Sequence, residues 1–262
     1  MRQLNTHSKP SSGVYHANKS TLNYNLKKYQ PSENLKRLVD CYWFVSWQLE
    51  YGATCIQRNL PSPNMHLIFD QQSLYCTGVM THAYETPLQG SKTLIGVKFR
   101  VGALNTILPY PHQELQNLHF NSGFLFDECQ SDALHNTENH QICITTLNQL
   151  LSHLPQPDDS QEKMNRTWQI LANNPTINTV EQWAKQSQLS VRALQRLCIK
   201  HIGLAPKWLI RKQRCIHALQ LLEEEKFDIY DVITLLGLTD QAHLIKEFKK
   251  ILGLTPNQYL KL

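Results

Sequence analysis

Four polar residues in the C-terminal part of the chain share the spacing of one helix face. They are Arg192, Gln195, Arg196 and Lys200, at i, i+3, i+4 and i+8. An arginine can donate two hydrogen bonds to guanine, a glutamine can pair in two places with adenine, and a lysine suits a phosphate. We therefore expect the first three to read base edges in DNA and Lys200 to contact the backbone. A solvated helix surface is the alternative interpretation.

The elements that would present this face can be identified from helix-start signals. Thr179 and Gln182 have capping-box spacing, and Val180, Trp183 and Ala184 form an apolar stripe after them. Ser190 can cap a second helix after a short turn, with Val191, Leu194, Leu197 and Cys198 facing inward. Two short helices with a tight turn predict a helix-turn-helix.

The same pattern recurs when the chain is shifted by 50 residues. Identities fall at Leu194/Leu244, Lys200/Lys250, Gly203/Gly253, Leu204/Leu254 and Pro206/Pro256. Continuing the register upstream places Trp183 over Ile233 and Ser187 over Gly237. An internal repeat of this kind indicates a duplicated unit.

The second copy begins with Asp228 and Asp240 as helix caps. Its outward side chains suit base reading less well than those of the first copy: Ala242 or Ile245 could touch a thymine methyl, and Lys246 and Lys249 could neutralise phosphates. We expect the first motif to discriminate sequence and the second to contribute more to anchoring. The amphipathic segment 206–223 predicts a helix that separates the two motifs by one DNA turn, about 34 Å.

Charge supports a polyanionic partner for the C-terminal part. Residues 1–160 carry 11 Lys and Arg against 12 Asp and Glu, whereas residues 161–262 carry 15 against 9. Such asymmetry favours nucleic-acid binding at one end of the chain.

The first part of the chain predicts a different architecture. Segments 39–49, 53–60, 64–70 and 92–99 are rich in aromatic and β-branched residues and are separated by turn signals, which predicts an antiparallel sheet or small barrel. Leu147, Leu150, Leu151 and Leu154 predict a closing helix whose stripe is core or a dimer seam. We expect a flexible tail over 1–20, a β-rich domain over 21–155, a linker over 156–162 and an all-α domain over 163–262.

Several function classes are disfavoured. No apolar run approaches the roughly 18 residues of a membrane span, and the N-terminal segment lacks the apolar stretch of a secretory signal, so we expect a cytoplasmic protein without a membrane partner. Seven cysteines without Cys-x-x-Cys argue against a zinc knuckle or disulfide framework. His66 and His82 are isolated, so we expect no metal, no other cofactor and no enzymatic activity, with a cupin-type metalloenzyme as a remote alternative.

The C-terminal motifs resemble the AraC/XylS family of bacterial transcription regulators over about residues 163–262. The matching segments are Leu189-Ser190, Gly203-Leu-Ala-Pro206, Gly237-Leu-Thr-Asp-Gln-Ala-His-Leu244 and Gly253-Leu-Thr-Pro256 through Tyr259. The resemblance implies two helix-turn-helix units joined by a linker helix. It implies base reading by Arg192, Gln195, Arg196, Gln241, Ala242, His243 and Lys246. Lys200, Lys249 and Lys250 are then the expected phosphate contacts.

Departures from the family pattern lie in the packing positions. Ala205 stands where a capping Ser or Thr is usual, a difference of about 1 kcal/mol. Residues 21–120 resemble the β-rich, cupin-like sensor domain of some members, on segments such as Asp40-Cys-Tyr-Trp-Phe44 and Ile95-Gly-Val-Lys-Phe99. The resemblance therefore implies a two-domain α+β fold.

These observations predict a sequence-specific regulator of double-stranded promoter DNA, more often an activator in this family, with RNA polymerase as a further partner. The N-terminal domain could bind a small-molecule effector, and the aromatic cluster of Tyr42, Trp43, Phe44 and Trp47 could line its pocket or form core. Alternatively, this domain forms a homodimer or binds a protein without sensing a small molecule.

Overall fold

A computed structural model describes residues 24–70, 73–108, 110–123, 125, 134, 139–223 and 227–261. The expected tail over 1–20 lies outside these residues. Two regions follow one another along the chain, the first built from β-strands and the second from helices, as the sequence predicts. No helix in the described part is long and apolar enough to cross a bilayer.

Among the described residues, eight strands form the first region in two antiparallel sheets. The bounds are β1 Asn25–Tyr29, β2 Val39–Gln48, β3 Thr54–Asn59, β4 His66–Asp70, β5 Ser73–Thr77, β6 Tyr84–Gln89, β7 Ser91–Phe99 and β8 His119–Asn121. The larger sheet has the order β1-β2-β7-β4-β5-β8, and β3 pairs with β6 in the smaller one. The four predicted strand segments correspond to β2, β3, β4 and β7. The segment after Gly102 forms turns and the short strand β8 before any long helix begins.

Eight α-helices follow in the part of the chain that the structure describes. Their bounds are α1 His140–Ser152, α2 Asp159–Ala172, α3 Val180–Gln186, α4 Val191–Ile202, α5 Pro206–Glu223, α6 Ile229–Leu235, α7 Gln241–Leu252 and α8 Pro256–Leu260. Helix α1 packs Leu147 and Leu151, both fully buried, into the core of the β-rich region, so this stripe is core. The Tyr42 hydroxyl donates a 2.9 Å hydrogen bond to Asn148 on the same helix.

Helix α2 begins inside the segment 156–162 that the sequence assigns to a linker. The Asp158 side chain caps it and Gln161 completes a capping box, which makes Asp159 the first helical residue. Gln161 also donates a 3.1 Å hydrogen bond to the carbonyl of Ala103. Met164, Trp168 and Leu171 of α2 belong to the apolar cluster that includes the core of the β-rich region. The α2 helix therefore links the two regions along the chain and also packs against the core of the β-rich region.

Candidate DNA interface and ligand cavity

The first recognition helix, α4, presents the predicted side chains to solvent. Arg192, Gln195, Arg196 and Lys200 are all exposed. Leu194 and Cys198 on the opposite face are fully buried. Within the described residues, the side chains of Arg192, Gln195 and Arg196 make no hydrogen bond or ion pair, so their donors are available to a partner.

Local signals explain why α4 lies where it does. The Thr179 and Gln182 capping box that the sequence predicts is present at the start of α3, and Ser190 caps α4 by accepting from the backbone N–H of Ala193 at 3.1 Å. The fully buried Trp183 donates a 2.9 Å hydrogen bond to the Thr167 carbonyl on α2. The first helix-turn-helix is thereby attached to α2.

The second recognition helix, α7, exposes a mixed set of predicted residues. Ala242, Lys246, Lys249 and Lys250 are exposed, whereas Gln241 and His243 are half-buried. The His243 ring lies 3.8 Å from a Glu247 oxygen and 3.4 Å from the Thr239 hydroxyl. His243 therefore has protein partners that Arg192 and Arg196 lack.

The two units differ in their turns, which corrects the upstream register of the repeat. Helices α3 and α4 are separated by residues 187–190, and α6 and α7 by residues 236–240, one residue more. The hydrogen bond from the backbone N–H of Leu189 to the Ala184 carbonyl therefore corresponds to the hydrogen bond from the backbone N–H of Leu238 to the Ile233 carbonyl. The structural counterpart of Trp183 is thus Val232. Equivalent residues of the two units are 49 positions apart before the turn and, because of the extra residue in the second turn, 50 positions apart after it.

An ion pair that the sequence analysis missed fixes α7 against the linker helix α5. Arg211 donates two hydrogen bonds of 2.6 Å to the carboxylate of Glu247. Burial alone would raise the pKa of Glu247, but the hydrogen bonds and charge of Arg211 hold it below its ordinary value. The available signal was a glutamate beside Phe248 on the inward face of an amphipathic helix.

The β-rich region holds the C-terminal end of the first recognition helix. Gln116 donates a 2.8 Å hydrogen bond to the Gly203 carbonyl. The fully buried His201 next to this end lies 2.7 Å from the hydroxyl of Ser160 on helix α2. His112 is buried nearby, and neither ring nitrogen has a hydrogen-bond partner among the residues that the structure describes. Burial lowers the pKa of each histidine to about 4, with a smaller effect of the His201 charge on His112. Lys200, next to His201, lines a groove with Tyr110.

The β-rich region also contacts the end of the second recognition helix. The backbone N–H of Ala83 donates a 3.1 Å hydrogen bond to the carbonyl of Ile251 on α7. Leu60 is buried in the apolar cluster that contains Cys215 and Leu219 of the linker helix. Both helix-turn-helix units therefore touch the β-rich region.

A cavity of about 230 Å³ lies between the two sheets, lined by residues of both. Trp43 and Trp47 line it, whereas Tyr42 and Phe44 are buried in the core, so the aromatic cluster serves both predicted purposes. Gly96 makes room for the Trp43 indole, because a Cβ there would lie 1.9 Å from the ring.

The Trp43 indole donates a 3.1 Å hydrogen bond to His66 in the wall of this cavity. Burial, with a smaller effect of Lys98, lowers the pKa of His66 to about 3, so the ring is neutral and its Nδ1 accepts this hydrogen bond. Among the described residues, no three His, Cys, Asp or Glu side chains lie close enough to hold a metal ion.

Two family matches cover most of the two regions. Residues 27–121 match a domain of unknown function, DUF6597, and residues 183–262 match a helix-turn-helix domain. An uncharacterized HTH-type transcriptional regulator from Haemophilus influenzae is 30% identical over 82 residues. That alignment covers 31% of this chain and 28% of the relative, so the chain spans about a quarter of the relative's length.

Two solved structures with similar chains illustrate the likeness. The C-terminal domain of AraT, a response regulator from Geobacillus stearothermophilus, is 26% identical with a TM-score of 0.35, covering 38% of this chain and 84% of that one. ToxT from Vibrio cholerae is 12% identical with a TM-score of 0.43, covering 84% and 98%. On the duplicated helix-turn-helix motifs and the domain match over residues 183–262, the C-terminal part of this chain is a helix-turn-helix domain.

Proposed function

We propose that this chain is a sequence-specific, double-stranded DNA-binding transcription regulator. The observation that carries the proposal is the pair of capped recognition helices, α4 and α7, both attached to one linker helix. Arg192, Gln195 and Arg196 on α4 are exposed without protein partners, as base-reading groups must be. The excess of basic residues in 161–262 supplies the attraction to phosphate.

We assign base reading to those three residues and to Gln241, Ala242, His243 and Lys246 of the second unit. Lys200, Lys249 and Lys250 contact phosphates. Because α4 carries the larger set of unpartnered bidentate donors, it contributes more sequence discrimination than α7. Promoter DNA is therefore the partner, and the protein acts in the cytoplasm.

Selection of sites from a random DNA pool with the full chain tests this function. We expect two recognition blocks about 10 base pairs apart, with more information under the first unit. Arg196→Ala should cost about 1–3 kcal/mol at one block and relax specificity there. Arg166→Ala is the matched control, because Arg166 is exposed on α2 and its loss changes net charge equally. Binding without any motif, weakened equally by both variants, would contradict sequence reading.

Control by the N-terminal domain is the finer part of the proposal. The cavity between the sheets supports a small-molecule effector, and the contacts at Gly203 and Ile251 connect its domain to both recognition helices. We propose activation through RNA polymerase, which run-off transcription from a selected site measures. A ligand-independent domain that forms a homodimer or binds a protein is the alternative. This alternative would be favoured if no ligand of the cavity changed the affinity for DNA, and if DNA binding depended instead on protein concentration.

A further inference from the structure

The exposed face of the first recognition helix continues beyond Arg196 into its last turn. Ile199 follows Gln195 by four positions and Arg196 by three, so the three side chains are neighbours on the helix surface. It also follows Arg192 by seven positions, which places it on the same line along the helix. The side chain of Ile199 is 43% exposed. The face that we assign to DNA therefore reaches the C-terminal end of α4, where the β-rich region begins.

The β-rich region extends this face with a segment of its own. A groove lies between the end of α4 and the β-rich region. Its lining residues are Ile199 and Lys200 from the helix and Asn105, Leu108, Tyr110, Pro111, His112 and Gln113 from the other side. We call residues 110–113 the flanking segment. DNA that lies along the exposed face of α4 would meet the flanking segment at the end of the helix.

The flanking segment is held firmly against the helix. The Gln116 side chain donates a 2.8 Å hydrogen bond to the Gly203 carbonyl at the end of α4. The backbone is also close, because an added Cβ at Gly203 would lie 3.1 Å from the backbone nitrogen of Gln113. The groove therefore has a fixed position relative to the base-reading side chains.

The polar groups of the groove suit a phosphodiester backbone. Tyr110 is 57% exposed and Gln113 is exposed, and neither side chain makes a hydrogen bond within the described part of the chain. Tyrosine and glutamine are among the side chains that donate to phosphate and sugar oxygens in protein–DNA complexes. Lys200 adds a positive charge, and none of the described residues that line the groove is acidic. Glu114 is exposed beside the groove without lining it.

We propose that the flanking segment is part of the DNA interface, and that Tyr110 and Gln113 contact the sugar-phosphate backbone beside the block read by α4. This inference rests on the proposed DNA-binding function. It gives the β-rich region a direct contact with DNA, in addition to any part in sensing or dimerisation. Backbone contacts carry no sequence information, so the flanking segment adds affinity and fixes the position of α4 without changing the preferred site.

An added charge tests the position of the flanking segment without damaging the fold. In Gln113→Lys the new ammonium group neutralises one more phosphate, so the full chain should bind DNA more tightly at low salt. The slope of log affinity against log salt should steepen by about 0.9. Gln48→Lys is the matched control, because Gln48 is exposed on β2 and does not line the groove. The control should leave the slope unchanged.

Footprinting with hydroxyl radicals locates the contact on the DNA. On the selected site we expect protected sugars at one flank of the first block, and Tyr110→Ala should lose this protection. Its affinity should fall about threefold to tenfold, the effect of one lost hydrogen bond, with the selected sequence unchanged. Tyr51→Ala is the control, since Tyr51 is fully exposed in the turn between β2 and β3. It should keep both the protection and the affinity.

The outcomes separate this inference from the proposed function. A selected motif combined with equal salt slopes for Gln113→Lys and Gln48→Lys would overturn the inference and leave the regulator standing. Tighter binding by Tyr110→Ala would also overturn it, because the flanking segment would then obstruct DNA. If the unaltered chain selects no motif, the proposed function fails. Equal slopes for the two lysine variants on the random pool would then overturn the inference as well.

Discussion

Arg211 on the linker helix and Glu247 on the second recognition helix form a doubly hydrogen-bonded ion pair, with both N···O distances at 2.6 Å. The Glu247 side chain is only 7% exposed and that of Arg211 20%. The pair therefore fixes the position of α7 relative to the linker helix α5. The first unit has Leu197 where the second has Glu247, so this polar connection belongs to the second unit only.

Breaking this pair should be more harmful than removing it entirely. Arg211→Met leaves a buried carboxylate unpaired, and we expect a loss of about 3–5 kcal/mol in the free energy of unfolding. The double variant Arg211→Met with Glu247→Leu should recover most of that loss. Urea unfolding of the four proteins in the cycle measures the coupling. Equal losses in the single and double variants would show that the pair has no such role.

Two glycines at equivalent positions offer a matched test of the interface. Gly203 and Gly253 end α4 and α7 with φ of 78° and 77°. An added Cβ at Gly203 would lie 3.0 Å from His112 Cβ and 3.1 Å from the backbone nitrogen of Gln113, whereas nothing lies within 4 Å at Gly253. Gly253→Ala should cost only the backbone strain, about 1–2 kcal/mol. Gly203→Ala should cost more and loosen the domain contact.

Differential scanning calorimetry and limited proteolysis distinguish these two effects. We expect a larger fall in melting temperature for Gly203→Ala than for Gly253→Ala, with faster cleavage between the regions only in the former. Identical melting curves would mean that the 110–116 segment is not held against α4 in solution.

Acidification should weaken the contact between the 110–116 segment and the end of α4. The pKa of His112 and of His201 is about 4 in the folded chain, below the ordinary 6.5. Their contribution to stability is therefore complete above pH 6.5 and is lost as the pH falls towards 4. Lys200 opposes protonation of His201, and Asp158 favours it.

Between pH 7 and pH 5 we expect each histidine to destabilise the folded state by about 1–2 kcal/mol. The double variant His112→Gln, His201→Gln should flatten this pH dependence, measured by urea unfolding at each pH. His153→Gln is the control, because His153 is exposed at the end of α1. An unchanged slope in the double variant would contradict the assignment.

Lys212 on the linker helix should produce a pH dependence of the same sign at higher pH. It is 8% exposed, with its ammonium 5.5 Å from the centre of the Trp168 ring. Burial, with a smaller effect of Lys98, lowers its pKa to about 7. The unfolded chain then binds more protons above this value, so stability rises with pH, by about 1 kcal/mol between pH 7 and 8.

Lys212→Met should stabilise the chain at pH 7 and remove that rise. The exposed Lys207 on the same helix provides the control variant Lys207→Met. Chemical unfolding at the two pH values measures both effects, and a slope retained in Lys212→Met would assign the dependence to another group.

Ala205, which precedes α5 and has no capping side chain, is a position where a substitution can stabilise the chain. Thr255 caps α8 by accepting from the backbone N–H of Gln258 at 3.1 Å, whereas its counterpart before α5 is the exposed Ala205. Ala205→Thr should raise the free energy of unfolding by about 1 kcal/mol, because it supplies an acceptor to the first turn. Thermal unfolding checks the direction, and Thr255→Ala should give a loss of similar size.

Local signals in the chain were sufficient for the helices of the two helix-turn-helix units. The capping box of Thr179 and Gln182 and the Asp240 cap are interactions within one helical turn, so spacing alone predicts them. The exposed face of Arg192 and Arg196 follows from the helical period in the same way. The strongest strands, such as β2 and β7, were predictable because a run of aromatic and β-branched residues indicates a strand wherever it pairs.

Only the tertiary structure decided which distant residues meet. Lys28 and Lys98 share a cavity because β1, β2 and β7 are adjacent, and no periodicity in the chain specifies that strand order. The approach of His112 to His201 and the pairing of Arg211 with Glu247 depend likewise on how separate elements pack. Helical period and caps are local properties of the backbone, whereas burial and charge pairing arise from contacts between segments far apart in the chain.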